Sequence, residues 1–128
     1  MSHSPLSDDH PRWSQLSARQ RALFGNGCGA KGGRFNPPDF LFEASCDQHD
    51  FYYWRGGTEG DRAMADAGFF AAMRRDALRS PLHLRWFHRG AARVYYLAVR
   101  RWGGAAFSYR MEPKRWDDLR VAMEVNEG

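Results

Sequence analysis

The sequence predicts a mainly α-helical domain built from two long antiparallel helices, a third helix and a glycine-rich loop. Its 128 residues suit one domain with a single core. Three segments between positions 39 and 102 have helical length and apolar content, and they are separated by Gly56-Gly57 and by Pro81. Because 43% of the residues are hydrophobic and 15% are aromatic, the composition argues against disorder over most of the chain.

The boundaries of the elements follow from local start and stop signals. Asp39 is a suitable N-cap, Gly56-Gly57 end the first long helix, and Pro81 stops the second. In chain order we expect a loose polar arm at 1–12, an amphipathic helix from its N-cap Ser14 to Phe24, a glycine-rich loop at 25–33, helices at about 39–54, 58–78 and 82–102, a short strand at 105–111 and a helix near 116–123, with 105–128 as a C-terminal extension. The second of the three long helices begins at Thr58 or at Asp61. The expected packing face of the second long helix is Ala63, Ala67, Phe70 and Ala71, with Phe69 and Met73 beside them.

The first long helix carries four reactive side chains on one side. Cys46, His49, Asp50 and Tyr53 follow the spacing i, i+3, i+4, i+7, so they cluster on one face. An imidazole and a carboxylate placed together on an otherwise apolar helix are typical of a functional site.

The hairpin geometry predicts a partner for this histidine on the second helix. His49 and Asp66 are equally distant in sequence from the turn midpoint between Gly57 and Thr58, so a symmetric hairpin places them at the same height. Asp61 is five positions nearer the turn, about 7–8 Å lower at a rise of ~1.5 Å per residue. Asp66 is therefore the expected partner, and Tyr53, one turn from His49, is within reach of it. The competing interpretation is a surface ion pair between Asp66 and Arg62.

These residue types together describe an ester hydrolase. A His–Asp pair forms a general base, and because no serine or cysteine is placed as a nucleophile, the attacking group is water. Asp50 and the carbonyl groups of the glycine-rich loop would provide the oxygen ligands that hold a hard cation. The loop is not a phosphate-binding loop, because it lacks the pattern Gly-x-x-x-x-Gly-Lys-Ser/Thr.

Three ordered segments resemble the secreted phospholipase A2 family, and most of all its bacterial and fungal branch. The pattern Cys-x-x-His-Asp-x-x-Tyr of 46–53 is similar to the family's active-site helix, Asp66-Ala-Gly-Phe-Phe-Ala-Ala-Met73 is similar to its Asp-x-x-Phe-Tyr-x-x-Met, and Tyr95-Tyr-Leu-Ala-Val99 is similar to its Tyr-Tyr-x-Ala-Val. The resemblance covers roughly residues 22–104. It implies a phospholipase A2-like core and calcium-dependent hydrolysis of the sn-2 acyl ester of glycerophospholipids.

The resemblance also implies a role for each matching residue. His49 would activate water, Asp66 would be its partner, and Tyr53 would bond near the pair. Calcium would be held by the Asp50 side chain and by the loop at Asn26, Gly27, Gly29 and Lys31, and Cys28 would form a disulfide with Cys46. Asn26 stands where the bacterial branch has an aspartate ligand, and the two cysteines are two positions further apart than is usual. Both departures predict weaker or differently shaped calcium binding.

The charge and the remaining patterns bear on partners and location. The net charge is +4 with a pI of about 9.4, which suits an anionic partner such as a phospholipid surface. We expect no transmembrane segment, and because the sequence as given shows no secretory signal, a cytoplasmic protein or export by a non-Sec route. The arginines of the third helix are expected to form a solvated face, with contact to anionic lipid head groups as the alternative: Arg85, Arg89, Arg93, Arg100 and Arg101. The aromatic residues Trp13, Phe24 and Trp54 are expected in the core, and the alternatives are an acyl channel or a membrane-facing rim.

Two other classes of function are compatible with the sequence. One is a catalytically degenerate phospholipase-like module that binds a membrane or a protein without calcium. The other is a small basic nucleic-acid binder, which is disfavoured because no recognised nucleic-acid motif is present.

Overall fold

The structure is a computed structural model that describes residues 9–24 and 39–127, and in these residues it is helical without β-strands. The helices are α1 (Ala18–Ala22), α2 (Asp39–Arg55), α3 (Glu59–Ala77), α4 (Leu82–Trp102) and α5 (Trp116–Glu127), with 3-10 turns at Trp13–Gln15 and Gly103–Ala106. The mainly α prediction is confirmed. The expected strand at 105–111 is wrong, because a 3-10 turn occupies its start and Tyr109 forms only an isolated bridge with Gly57. No helix in the described ranges is both long and apolar enough to cross a bilayer.

The first helix begins later than expected. Ser17, not Ser14, is its N-cap: the Ser17 hydroxyl accepts the Gln20 backbone N–H at 3.1 Å, and the Gln20 side chain accepts the Ser17 N–H at 2.9 Å. This reciprocal pair satisfies two of the amides that a helix start leaves unpaired. The prediction failed because Ser14 lies within the preceding 3-10 turn.

The turn between α2 and α3 sets the register of the hairpin. Gly56 and Gly57 have φ angles of +72° and +133°, which L side chains rarely adopt. A Cβ atom on Gly56 would lie 2.1 Å from the Ser108 carbonyl oxygen, so the close approach also requires glycine. Thr58 then caps α3, and the Asp61 carboxylate accepts the Thr58 N–H at 2.8 Å. Asp61 is therefore part of the N-terminal cap of α3, and it is not the carboxylate that pairs with His49.

Helix α3 packs against both α2 and α4. The first core cluster draws on all three helices and contains Phe42, Cys46, Phe69, Met73, Ala92 and Tyr95. The expected packing face of α3 is wrong at Ala67 and Ala71, which are exposed. Phe70 packs against the first core cluster as predicted, and the buried positions beside it are Phe69 and Met73. These larger side chains remove more apolar area from water than alanines do, so they decide how the helix is turned.

A second core cluster joins both ends of the described chain to α2. It contains Leu16, Phe24, Phe51 and Leu119, with Trp13 and Trp54 packed against it. The expectation that Trp13, Phe24 and Trp54 pack in the core is therefore confirmed. Part of the expected loose arm is packed as well, because His10 and Pro11 are buried and the Arg55 guanidinium donates to the Pro11 carbonyl at 3.0 Å.

The C-terminal extension caps α2. The carbonyl of Tyr53 accepts the Ser108 N–H at 3.2 Å, the carbonyl of Arg55 accepts the Lys114 N–H at 2.8 Å, and the Lys114 ammonium donates to the carbonyl of Trp54. These contacts satisfy acceptors that a helix end leaves unpaired. Burial of Lys114, reinforced by the positive charge of Arg110, lowers its pKa.

Candidate active site

His49 and Asp66 face each other across the α2–α3 hairpin, as the register argument predicts. The His49 Nε2 atom lies 2.7 Å from Asp66 Oδ1, and the Tyr53 hydroxyl donates to the same oxygen at 2.7 Å. Asp66 is fully buried and His49 is 7% exposed. Because an ionised carboxylate can only accept hydrogen bonds, the imidazole carries its proton on Nε2 in this arrangement. The other ring nitrogen, Nδ1, has no hydrogen-bond partner in the described part of the chain.

Aromatic packing fixes the plane of the His49 ring. The ring stacks on Phe69, with the centroids 4.4 Å apart and the planes at 25°. The His49 ring also packs against the Tyr53 ring, with the two centroids 4.2 Å apart and the planes at 45°. The close approach of Gly103 holds Tyr53 in turn, since a Cβ atom there would lie 2.6 Å from the Tyr53 hydroxyl. The imidazole is thus oriented by packing as well as by its hydrogen bond to Asp66.

The second oxygen of Asp66 is bound from α4. Arg100 Nη1 donates to Asp66 Oδ2 at 2.7 Å, and Arg62 Nη1 lies 3.6 Å from the same oxygen. Burial by itself would raise the pKa of Asp66, but the hydrogen bonds from His49, Tyr53 and Arg100 outweigh it and lower this pKa. The surface ion pair between Asp66 and Arg62 is therefore wrong as an alternative to the His49 contact, because the carboxylate is buried and holds all these partners at once.

A surface carboxylate, Glu59, organises the arginines behind Asp66. It accepts from Arg100 Nη2 at 3.0 Å, from Arg62 Nε at 2.9 Å and from the Tyr109 hydroxyl at 2.7 Å. Hydrogen bonds from Arg62, Tyr109 and Arg100 lower the pKa of Glu59 to about 2. No residue pattern along the chain indicates this cluster. The prediction that the arginines of α4 form one solvated face is wrong for Arg100, because this side chain bonds the buried Asp66. Helical periodicity alone does not distinguish Arg100 from its exposed neighbours.

The structure describes only one of the expected calcium ligands. Asp50 is half-buried beside His49, and burial, followed by the negative charge of Asp47, raises its pKa to about 7. No arginine, lysine or histidine of the described residues pairs with it. The other expected ligands, Asn26, Gly27, Gly29 and Lys31, lie outside the described residues, so the absence of a cluster of three or more His, Cys, Asp or Glu side chains concerns 9–24 and 39–127 alone.

Only one of the two cysteines of the predicted disulfide, Cys46, lies in the described residues. Cys46 is 1% exposed and belongs to the first core cluster, on the α2 face that also carries His49. Its expected partner, Cys28, lies outside the described residues. The bridge between the loop and the helix therefore stays a prediction.

Replacing Asp50 by asparagine is expected to stabilise the calcium-free protein at neutral and higher pH. The folded state binds the Asp50 proton more tightly than the unfolded state, so this residue costs stability above its folded pKa of about 7, and the cost disappears as the pH falls toward 3.8. At about 1.4 kcal/mol per pH unit, the variant should gain about 2–4 kcal/mol at about pH 8 and nothing near pH 4.

Urea denaturation with chelator present, repeated across this pH range, measures the difference. Asp47→Asn is the companion variant, because it removes the negative charge that is the secondary cause of the raised pKa, and it should give a smaller gain. Equal stability of wild type and Asp50→Asn at about pH 8 would contradict a raised pKa.

Comparison with protein-family models, with curated proteins and with solved structures found no match. The functional interpretation therefore depends on the geometry of this site and on the residue patterns that carry the resemblance.

Proposed function

We propose that the protein is a calcium-dependent hydrolase that cleaves the sn-2 fatty acyl ester of glycerophospholipids. The observation that carries this proposal is the His49–Asp66–Tyr53 arrangement. One ring nitrogen of His49 is bonded to a buried carboxylate at 2.7 Å, and the other has no partner in the described residues. An imidazole held in this way is suited to accept a proton from water.

The proposed reaction uses water as the nucleophile. His49 Nδ1 accepts a proton from a water molecule while the water oxygen bonds to the acyl carbonyl carbon, which forms a tetrahedral intermediate. The intermediate collapses by breaking the bond to the glycerol oxygen, and the imidazolium returns its proton to that oxygen. The products are a fatty acid and a lysophospholipid. Asp66 stabilises the imidazolium between the two proton transfers, and the Tyr53 hydroxyl donates to the same carboxylate.

Asp50 fits the proposed cation. A half-buried carboxylate whose pKa is raised to about 7, with no positive partner in the described residues, is the kind of oxygen ligand that calcium favours. Asp50 would hold the ion together with loop groups at Asn26, Gly27, Gly29 and Lys31. When bound, calcium supplies a positive charge that polarises the ester carbonyl and stabilises the oxyanion.

An apolar stripe on α4 supports a phospholipid surface as the substrate. Its members are exposed and share one helix face: Leu84, Phe87, Val94, Leu97 and Trp102. The C-terminal half of this stripe borders a surface groove of about 1020 Å³ whose lining includes Gly103. Gly103 also approaches Tyr53 closely, so this residue belongs both to the lining of the groove and to the surroundings of the site. Arg101 is exposed and lies in the lining of this groove, where its positive charge would favour anionic head groups.

The same stripe favours a second candidate function, a catalytically degenerate module that binds phospholipid surfaces. Such a module needs the exposed apolar side chains of α4 and the positive charge, but neither calcium nor an intact dyad. The two candidates therefore differ in whether acyl chains are released, rather than in whether vesicles are bound.

A fatty-acid release assay on mixed phospholipid vesicles, with calcium and with chelator, tests the proposal. We expect release of the sn-2 acyl chain in calcium and a loss of at least about 100-fold with chelator, because the oxyanion loses its cation. Vesicle co-sedimentation is measured in parallel. Binding without release at any calcium concentration would favour the degenerate module, and release that is unaffected by chelation would remove calcium from the mechanism.

A further inference from the structure

We infer that Arg100 is a positioning residue for the His49–Asp66 pair, and that Glu59 holds Arg100 in place. This inference deepens the proposed function and rests on it, since the pair is the proposed general base. The arrangement joins α4 to the α2–α3 hairpin by a continuous chain of charged contacts.

The orientation of the Asp66 carboxylate depends on both of its oxygens. The Oδ1 atom accepts from His49 and Tyr53, each at 2.7 Å, while Oδ2 accepts from Arg100 at 2.7 Å. The torsion that turns an aspartate carboxylate has a broad energy profile, so bonds to one oxygen alone hold it weakly. A charge-assisted bond on the opposite oxygen fixes the plane. Arg100 therefore determines where Oδ1 meets the imidazole.

Arg100 is itself held at both ends. Its second guanidinium nitrogen, Nη2, bonds Glu59 at 3.0 Å, and its backbone carbonyl accepts from Arg62 Nη2 at 3.4 Å. Arg62 also donates to the Val99 carbonyl at 3.0 Å and bonds the same Glu59. The two arginines thus fix the last turns of α4 against α3, with Glu59 as the shared anchor.

This clamp has features that packing alone does not require. The Arg100 side chain is 29% exposed and that of Glu59 is 54% exposed, and ion pairs in such positions stabilise a fold little. Asp66 has two other close donors, His49 and Tyr53, without Arg100. The contribution specific to Arg100 is the bond to Oδ2, and a small misplacement of a catalytic group is enough to slow a reaction strongly.

The test compares Arg100→Gln and Arg100→Lys with Arg93→Gln as the matched control. Arg93 lies two turns earlier on α4, is exposed, and is outside the site. We expect Arg100→Gln to lower kcat about 10-fold to 100-fold with little change in KM, because the orientation of the base is lost while substrate contacts remain. Arg100→Lys should recover part of kcat, since lysine can keep one charged bond to Oδ2. Arg93→Gln should behave as wild type.

A readout independent of turnover is the proton on His49 Nε2. A hydrogen bond of 2.7 Å to a buried carboxylate predicts a far-downfield proton NMR resonance, assigned by its loss in His49→Gln. The resonance should shift or broaden in Arg100→Gln and stay in place in Arg93→Gln. Because Arg100→Gln leaves Asp66 with one fewer charge partner, Glu59→Ala serves as a second variant. Glu59→Ala removes the anchor of Arg100 but leaves Asp66 and its bond partners in the chain. It should change kcat and the His49 resonance in the same direction as Arg100→Gln, by a smaller amount.

The outcomes separate this inference from the proposed function. A wild-type protein without fatty-acid release contradicts the proposed function, yet a resonance that moves in Arg100→Gln and Glu59→Ala still supports positioning. If turnover and the resonance are unchanged in folded Arg100→Gln, or in Glu59→Ala where Arg100→Gln does not fold, the inference is overturned. A rise in KM with constant kcat would also overturn it, because Arg100 would then be a substrate-binding residue.

Discussion

Replacing His49 by glutamine is expected to reduce fatty-acid release by about 10³-fold or more while leaving the protein folded. Glutamine cannot accept a proton from water at neutral pH, and general acid–base catalysis of this kind contributes about 10²–10⁴-fold. The side-chain amide can still donate to Asp66 Oδ1, so the buried carboxylate keeps its number of donors. Thermal unfolding should therefore change little, and quantified fatty acid from phospholipid vesicles in calcium gives the rate.

His83→Gln is the matched control for this experiment. His83 lies on α4, is exposed, and has no contact with the His49–Asp66 pair. It should release fatty acid at the wild-type rate. Full activity of His49→Gln would exclude His49 as the base, whatever the calcium dependence.

Replacing Asp66 by alanine is expected to destabilise the fold by about 3–5 kcal/mol, the usual cost of breaking a buried ion pair. Asp66 is fully buried and accepts from His49, Tyr53 and Arg100, so its removal leaves two polar side chains and a guanidinium without their shared acceptor. The variant should also lose fatty-acid release, because the imidazole loses both its orientation and its negative partner. Urea denaturation and the release assay measure the two effects.

Asp66→Asn separates charge from volume, because asparagine keeps the shape and one acceptor oxygen. The pKa of Asp66 is lowered in the folded state, so its ionised form stabilises the protein above its unfolded value of 3.8, and that stabilisation is lost as the pH falls through the folded pKa. The gap between wild type and Asp66→Asn should thus be largest at neutral pH and should close in acid. A gap that is independent of pH would show that the charge of Asp66 does not stabilise the fold.

The sequence predicted the parts of this fold that depend on local chemistry and on simple helical geometry. Gly56-Gly57 and Pro81 mark the helix ends correctly, because their backbone requirements are local. The pairing of His49 with Asp66 followed from their equal distances to the turn. This relation holds because the turn between the two long helices is short and Thr58 caps α3 directly after it.

The parts that could not be predicted depend on how helices rotate and where distant segments return. The buried face of α3 was predicted incorrectly at Ala67 and Ala71. Both alanines are exposed, because burial of the larger Phe69 and Met73 side chains determines how the helix is rotated. The role of Arg100 could not be foreseen for the same reason, since its contact with Asp66 requires the crossing of α4 over α3. The start of the short first helix was predicted at the wrong residue because two serines, Ser14 and Ser17, both suit an N-cap, and the structure uses Ser17.

The capping of α2 has a consequence for the smallest chain that can hold the site. The segment that resembles the phospholipases ends near residue 104, but the carbonyl groups that end α2 are satisfied by Ser108 and Lys114. A truncation guided by the resemblance would leave these acceptors to water and remove a positive charge from the negative end of the helix dipole. Tyr53 lies in that last stretch of α2 and bonds Asp66, so fraying there would reach the dyad directly. The minimal unit for expression and mutagenesis therefore includes the C-terminal extension, which the residue pattern of the site does not reveal.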